Sequence, residues 1–130
     1  MPPPTFTAAA LRAALCLSLS AGAAAASAQT SAAPRSSTAA PEVYKVIAQG
    51  PQHRVLNVVL EPGQRTPPHS HPPATAVYFV TACSLKIAEF GSETDARPAA
   101  GTAIFMGVVY SHSVLNTSKS PCRMVYFEPK

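Results

Sequence analysis

Hydrophobic and polar residues alternate in short runs along most of the chain, and Pro, Gly and Asn separate the runs. The runs are rich in Val, Ile, Leu, Tyr and Phe, which favour strands, and they lack a helical period. The predicted strands are 44–48, 54–60, 66–71, 76–81, 84–90, 103–106, 110–115 and 123–128, with 91–95 as a hairpin loop. Many short strands at close spacing predict an all-β sandwich or barrel.

The first 28 residues break this pattern. Arg12 precedes a run of Ala, Leu and Ser, and Ala26, Ser27 and Ala28 form a small-x-small cleavage site. This order is typical of a secretory signal peptide, here predicted to be residues 1–28 and cut before Gln29. An uncleaved anchor is the alternative, but the apolar run is short for a membrane span. The predicted location is periplasmic or secreted, with no membrane contact after cleavage.

Residues 29–41 are small, polar and interrupted by prolines. Such a segment buries too little apolar surface to offset the entropy of ordering it, so it is predicted to be a disordered leader. Residues 42–130 remain, which is enough chain for one domain with one modest core.

Charge and cysteine content narrow the possible functions. The chain has ten Lys and Arg against six Asp and Glu, and the basic residues are scattered singly. No clustered basic face is predicted, so nucleic acid is not an expected partner.

Two cysteines remain after cleavage, Cys83 and Cys122. An oxidising compartment permits a disulfide between them, and two separately buried thiols are the alternative.

The candidate chemistry lies in a proline-rich stretch, residues 62–73. His69 and His71 are two residues apart, and the prolines around them exclude a helix. In an extended chain their imidazoles point to the same side and can share one ion. With His112 downstream, three imidazoles suit a divalent transition metal, Zn, Fe, Mn, Ni or Cu. The alternative is a set of surface histidines in a loop, as is expected for His53.

These histidines fall at motif spacing. The first cupin motif, G-x5-H-x-H-x3,4-E-x6-G, is matched at Gly63, His69 and His71; the second, G-x5-P-x-G-x2-H-x3-N, is matched at Gly101, His112 and Asn116. Residues 44–130 therefore resemble a small single-domain cupin. The chain departs from the motifs at Ala76 and Cys83, in place of the glutamate and final glycine, and at Gly107 and Val109, in place of the proline and glycine.

The resemblance implies a jelly-roll barrel, the double-stranded β-helix of cupins, and a homodimer. It implies a metal site at His69, His71 and His112 that lacks the usual glutamate. Tyr78 and Tyr110 could line the cavity, although a strand tyrosine is more often part of the core. Asn116 is expected to support a turn.

Two functions follow as alternatives. One is an exported cupin that binds a divalent transition metal and a small-molecule ligand, which the missing glutamate favours. The other is a metal-dependent oxidoreductase of the dioxygenase type, acting on a small oxygenated or thiol substrate, which the histidine trio favours. The sequence identifies no catalytic residue. Metal affinity is expected to fall as the pH drops through about 6.5, where free histidine becomes protonated.

Overall fold

A computed structural model describes residues 31–130 of the chain. The elements are α1 (Ser36–Ala39), β1 (Tyr44–Gln49), β2 (His53–Leu60), β3 (His69–His71), β4 (Thr75–Phe79), β5 (Leu85–Glu89), β6 (Ser92–Ala96), β7 (Ala103–Met106), β8 (Val109–Asn116) and β9 (Cys122–Pro129). The predicted all-β fold is confirmed. The predicted signal peptide lies outside the described residues, and within them no helix has the length and apolarity needed to cross a membrane.

Two sheets form the barrel. One has five strands in the order β1-β2-β9-β4-β7, and the other has four in the order β3-β8-β5-β6. Strand alternation places one row of each strand inside, as in β9, where Cys122, Met124, Tyr126 and Glu128 are buried and Arg123 and Phe127 are exposed. The apolar core is built from such rows, among them Leu56, Val58, Leu60, Val77 and Phe79.

The segment 91–95 is not the predicted loop. Ser92–Ala96 pairs with Leu85–Glu89 over its whole length, so the hairpin turn is only Phe90 and Gly91. Both turn residues have positive φ, 50° and 74°, which is typical of the two-residue turns that match strand twist. The strand is polar because it is an exposed edge, where charged residues discourage further pairing.

The prediction of a disordered leader is wrong for its later residues. Ser36–Ala39 form a short helix, and Ser36 and Ala40 are fully buried. Backbone hydrogen bonds fix the segment to two strands of the smaller sheet: Ala33 donates to Tyr110 at 2.8 Å, and Ser70 donates to Pro34 at 2.8 Å. These bonds involve the backbone, so a composition poor in apolar side chains does not reveal them.

Cys83 and Cys122 form a disulfide, the first of the two alternatives that the sequence left open. Cys122 begins β9 in the larger sheet, and Cys83 lies in the connection from β4 to β5, which leads from the larger sheet to the smaller. The bond therefore ties the crossover between the sheets to the strand at the centre of the larger one.

Candidate metal centre

The three predicted histidines meet inside the barrel. His69 and His71 lie on β3, and His69 is directly opposite His112 on the neighbouring β8. One nitrogen from each ring lies within 4.8 Å of the other two. All three side chains are buried, with exposed fractions of 0%, 2% and 6%. Histidines of a surface loop, the alternative reading of the sequence, would not be buried together in this way.

Hydrogen bonding fixes the proton of His69. Its Nδ1 lies 2.9 Å from the carbonyl oxygen of Pro67, which only accepts, so Nδ1 carries the hydrogen. Nε2 is therefore unprotonated, and it lies 3.1 Å from Nε2 of His112. Two nitrogens bound to one ion at about 2.0–2.1 Å are roughly 2.8–3.4 Å apart in cis-octahedral or tetrahedral geometry. The observed separation fits two ligands of one metal.

His71 contributes an imidazole with no hydrogen-bond partner at either nitrogen among residues 31–130. Its Nδ1 lies 3.5 Å from a carboxylate oxygen of Glu128. A carboxylate on that side favours hydrogen at Nδ1 and leaves Nε2 as a ligand. A buried, unpaired ring nitrogen is costly unless something binds it, so the donor set fits a metal ion.

Glu128 is the acidic group of this site, and the sequence analysis did not identify it. It is fully buried and forms an ion pair with Arg54, which lies opposite it on β2. Burial alone would raise the pKa of Glu128, but His71 and Arg54 outweigh burial and lower it, so the carboxylate is ionised at neutral pH. The strict alternation of β9 was the signal that could have placed Glu128 inside, together with Met124 and Tyr126.

Two tyrosines outside both motifs lie beside the three histidines. Tyr44 donates its hydroxyl hydrogen to Nε2 of His69 at 3.1 Å, and its ring centre is 4.9 Å from that of His69. The ring centre of Tyr126 is 5.3 Å from that of His71. Burial raises the pKa of both phenols well above 10, so both stay neutral. The hydroxyl of Tyr44 is thus a neutral polar group beside two candidate ligand atoms.

His69 and His112 are neutral over a wider pH range than the sequence suggested. Burial lowers the pKa of His69 from 6.5 to about 4, even though the Pro67 carbonyl opposes the shift. Burial, followed by the charges of His69 and His71, lowers that of His112 to about 3. Proton competition with a metal at these two rings therefore begins well below the expected pH of about 6.5.

The tyrosines proposed to line the cavity lie elsewhere. Tyr78 and Tyr110 are each about half exposed, at 48% and 51%. Tyr78 alternates with the buried Val77 and Phe79, so it faces outward. The register of β8 shifts between His112 and Val109, where three residue steps oppose two on β3. This bulge reverses the alternation, so Tyr110 does not share the inward direction of His112.

Ala76, at the motif's glutamate position, also faces outward. It pairs directly with Phe127 on one side and Phe105 on the other, both of which are exposed. Residues directly opposite each other share a face of the sheet, so a longer side chain at position 76 would point away from the histidines. The inward position next to it is Val77, which pairs with Tyr126.

Asn116 supports a turn, as expected, and His53 is exposed as expected but begins strand β2 rather than lying in a loop. Asn116 donates from Nδ2 to the carbonyl oxygens of Leu60 and Ser120, and its Oδ1 accepts from Ser118, so it supports the turn after β8. His53 is exposed at the start of β2, where its ring stacks on Phe127 with centroids 4.8 Å apart. It is not part of the histidine cluster.

The fold and the buried histidines define a small double-stranded β-helix with a candidate metal centre. The sequence profile of the cupin domain matches residues 56–128, more than half of the chain. The chain belongs to the cupin family. No curated protein matches it in sequence.

Solved structures agree on the fold. A cupin domain from Bordetella pertussis Tohama I has a TM-score of 0.63 and 20% identity, over 68% of this chain and 92% of that one. An RmlC-like cupin with a double-stranded β-helix fold from Methanocaldococcus jannaschii has a TM-score of 0.55 and 10% identity, over 67% and 78%. The polyketide cyclase RemF from Streptomyces resistomycificus has a TM-score of 0.54 and 18% identity, over 66% and 63%. At these identities the similarity establishes the fold alone.

Proposed function

We propose that this chain is an exported cupin that binds one divalent transition metal through His69, His71 and His112. The observation that carries the proposal is the meeting of three buried imidazoles. His69 presents an unprotonated Nε2 to His112, and Nε2 of His71 has no hydrogen-bond partner among residues 31–130. Zn, Fe, Mn, Ni and Cu all accept imidazole ligands. The side chains hold such an ion without a directly bound carboxylate.

The buried polar groups around the histidines have separate tasks in this proposal. Glu128 orients His71 from behind, and Arg54 keeps that carboxylate ionised. A neutral three-histidine set leaves the positive charge of the ion unbalanced, so an anionic or strongly donating ligand is favoured at any further coordination position. The Tyr44 hydroxyl can donate a hydrogen bond to a ligand there if it leaves His69.

Metal content and metal affinity test the proposal. Elemental analysis of the protein purified from its native compartment should find about one transition metal ion per chain. Titration calorimetry with Zn, Mn, Fe(II), Ni and Cu should show binding at a single site, and His112→Ala should weaken it by about 100-fold or more. Equally weak binding by the wild type and the three site variants would refute the metal centre.

Catalysis is the second candidate function, as a metal-dependent oxidoreductase of the dioxygenase type. Its specific support is the buried phenol of Tyr44 beside the candidate ligands. One structural neighbour, RemF, is a polyketide cyclase, which indicates that the barrel can support catalysis. Oxygen uptake by the metal-loaded protein with small oxygenated and thiol substrates, compared with His112→Ala, separates the two functions.

We also propose export, for which the disulfide is the supporting observation. Disulfides persist in oxidising compartments and are rare in the cytosol. The mass of the protein isolated from the periplasm or medium should correspond to a chain that begins at Gln29. A mature protein that retains Met1 would contradict cleavage.

A homodimer is proposed as the assembly. Phe105 and Phe127 flank Ala76 on the outer face of the larger sheet, and Tyr78 lies on the same face, with exposed fractions of 80%, 47% and 48% for the three aromatic residues. A contiguous apolar face of this kind is typical of an interaction surface. Sedimentation at micromolar concentration should give twice the chain mass, and Phe105→Ser should shift it to the monomer. A wild-type monomer would contradict the dimer.

A further inference from the structure

A polar cavity lies beside Arg54, the partner of Glu128. It has a volume of about 370 Å³ and is lined by Arg35, Gln49, Arg54 and Lys130. Three of these four residues are cationic, and none is acidic. The histidine cluster does not line it.

Ordered backbone holds these side chains in place. Arg35 is bridged to Ser70 on β3 and precedes α1. Gln49 is paired with Arg54 across the β1–β2 hairpin. The backbone N–H of Lys130 donates to the carbonyl oxygen of Gln52 at 2.9 Å. The segment predicted to be disordered thus contributes one wall of the cavity.

The cationic groups of the cavity have more hydrogen-bond donors than the described residues satisfy. Nη1 of Arg35 is buried and has no acceptor among residues 31–130. Arg54 contacts Glu128 through Nε and Nη2, and its side chain is 17% exposed. A guanidinium has five N–H donors, so Arg54 retains donors beyond those that face Glu128. Glu128 also balances only one of the three positive side chains.

We propose that Arg35 and Arg54, with Gln49 and Lys130, bind the oxyanion of a small ligand that carries a carboxylate or a phosphate. Guanidinium groups match both oxyanions because their planar donors can bind two oxygens at once. The oxyanion accepts from the guanidinium groups of Arg35 and Arg54, which both line the cavity. The site uses none of the histidines, so it stands independently of the metal proposal.

The test is titration calorimetry of the metal-free protein with inorganic phosphate and, separately, with succinate. Wild type should bind at least one of the two, and which one it binds identifies the class of ligand. Arg35→Gln should weaken that binding at least tenfold. Arg54→Lys, which keeps the charge beside Glu128 but loses the planar donors, should weaken it several-fold while the protein stays folded.

Arg97→Gln is the matched control, because Arg97 is exposed and lies outside the cavity lining. It removes the same charge and should leave the affinity unchanged. Equal weakening by Arg35→Gln and Arg97→Gln would show only a general charge effect and would overturn the site. Absence of binding by the folded wild type at millimolar phosphate and succinate would also overturn it. Zinc binding by wild type and by Arg35→Gln, measured separately, reports on the metal centre, because Arg35 does not contact the histidines or Glu128 in the described interactions.

Discussion

The two ends of the barrel interior differ in chemistry although the same strands form both. On β2 the inward row begins with Arg54 and continues as Leu56, Val58 and Leu60; on β9 it runs in the opposite direction, from Cys122 and Met124 to Tyr126 and Glu128. One end is therefore apolar and closed by the disulfide, and the other is polar and contains the histidines. The difference indicates that stability and chemistry are largely assigned to separate ends, so mutations can separate them.

Lowering the pH should cause the largest loss of folding stability, through the histidines of the polar end. In the folded, metal-free protein the pKa values of His69 and His112 are about 4 and about 3, below the 6.5 of unfolded histidine. Between these values the unfolded chain binds more protons, so stability is complete above about pH 6.5 and falls as the pH drops toward 4. Each histidine contributes up to about 1.4 kcal/mol per pH unit, for a combined loss of about 6 kcal/mol by pH 4. Urea unfolding at several pH values measures it.

His112→Gln should make that pH dependence shallower, because one of the two responsible groups is removed. An unchanged slope in His112→Gln would contradict the assignment of the acid sensitivity to the polar end.

At the apolar end, the disulfide should make the largest contribution to the free energy of unfolding. Cys83 and Cys122 are 39 residues apart, and closing a loop of that length contributes roughly 4 kcal/mol in the chain-entropy model. The double variant Cys83→Ala/Cys122→Ala should lose about that free energy of unfolding in urea. Its zinc affinity, measured under folding conditions, should match that of the wild type. A parallel loss of zinc affinity would show that the two ends are coupled.

His69→Ala should weaken zinc binding and largely preserve stability, which is the opposite of the result expected for the disulfide variant. Losing one of three ligands should weaken zinc binding by about 100-fold or more, equivalent to about 2.7 kcal/mol, while the apolar core and disulfide remain. Titration calorimetry measures the affinity. His53→Ala, which removes the exposed histidine at the start of β2, is the control and should bind zinc as the wild type does. Equal affinities in the two variants would exclude His69 as a ligand.

The smallest change in zinc affinity is expected from substitutions outside the three histidines. Glu128→Gln keeps the shape of the side chain but removes the charge facing His71, and it should weaken zinc binding about 10-fold.

Ala76→Glu adds a carboxylate at the motif's position, but on the outer face, and should leave zinc affinity unchanged. Tighter binding by Ala76→Glu would contradict the strand orientation described here.

The sequence predicted the strands and the histidine cluster because both depend on local information. Strand composition predicts most of the elements, and motif spacing connects His112 to the pair at His69 and His71. The partners of the cluster depend on strand pairing across long sequence separations: Arg54 meets Glu128 only because β2 pairs with β9. The same limitation left the pairing of Cys83 with Cys122 open.

Two predictions, the direction of Tyr110 and the disorder of the leader, were wrong because they depend on features that side-chain patterns do not reveal. The bulge in β8 is a single extra residue, and it reverses the direction expected for Tyr110. The ordered leader is held by backbone hydrogen bonds, so its polar composition was misleading for Ser36. Glu128 was predictable in principle, because the alternation of β9 places it inside with Tyr126.

The position of β9 has a consequence for how the chain folds during its synthesis. This strand is made after β1 to β8, yet it lies between β2 and β4 and pairs with both. Before residues 122–129 are available, those two neighbours present unpaired edges that are prone to associate with other chains. The larger sheet therefore cannot be completed from the N-terminus onward. A ribosome-bound or truncated chain that lacks this strand is expected to depend on chaperones.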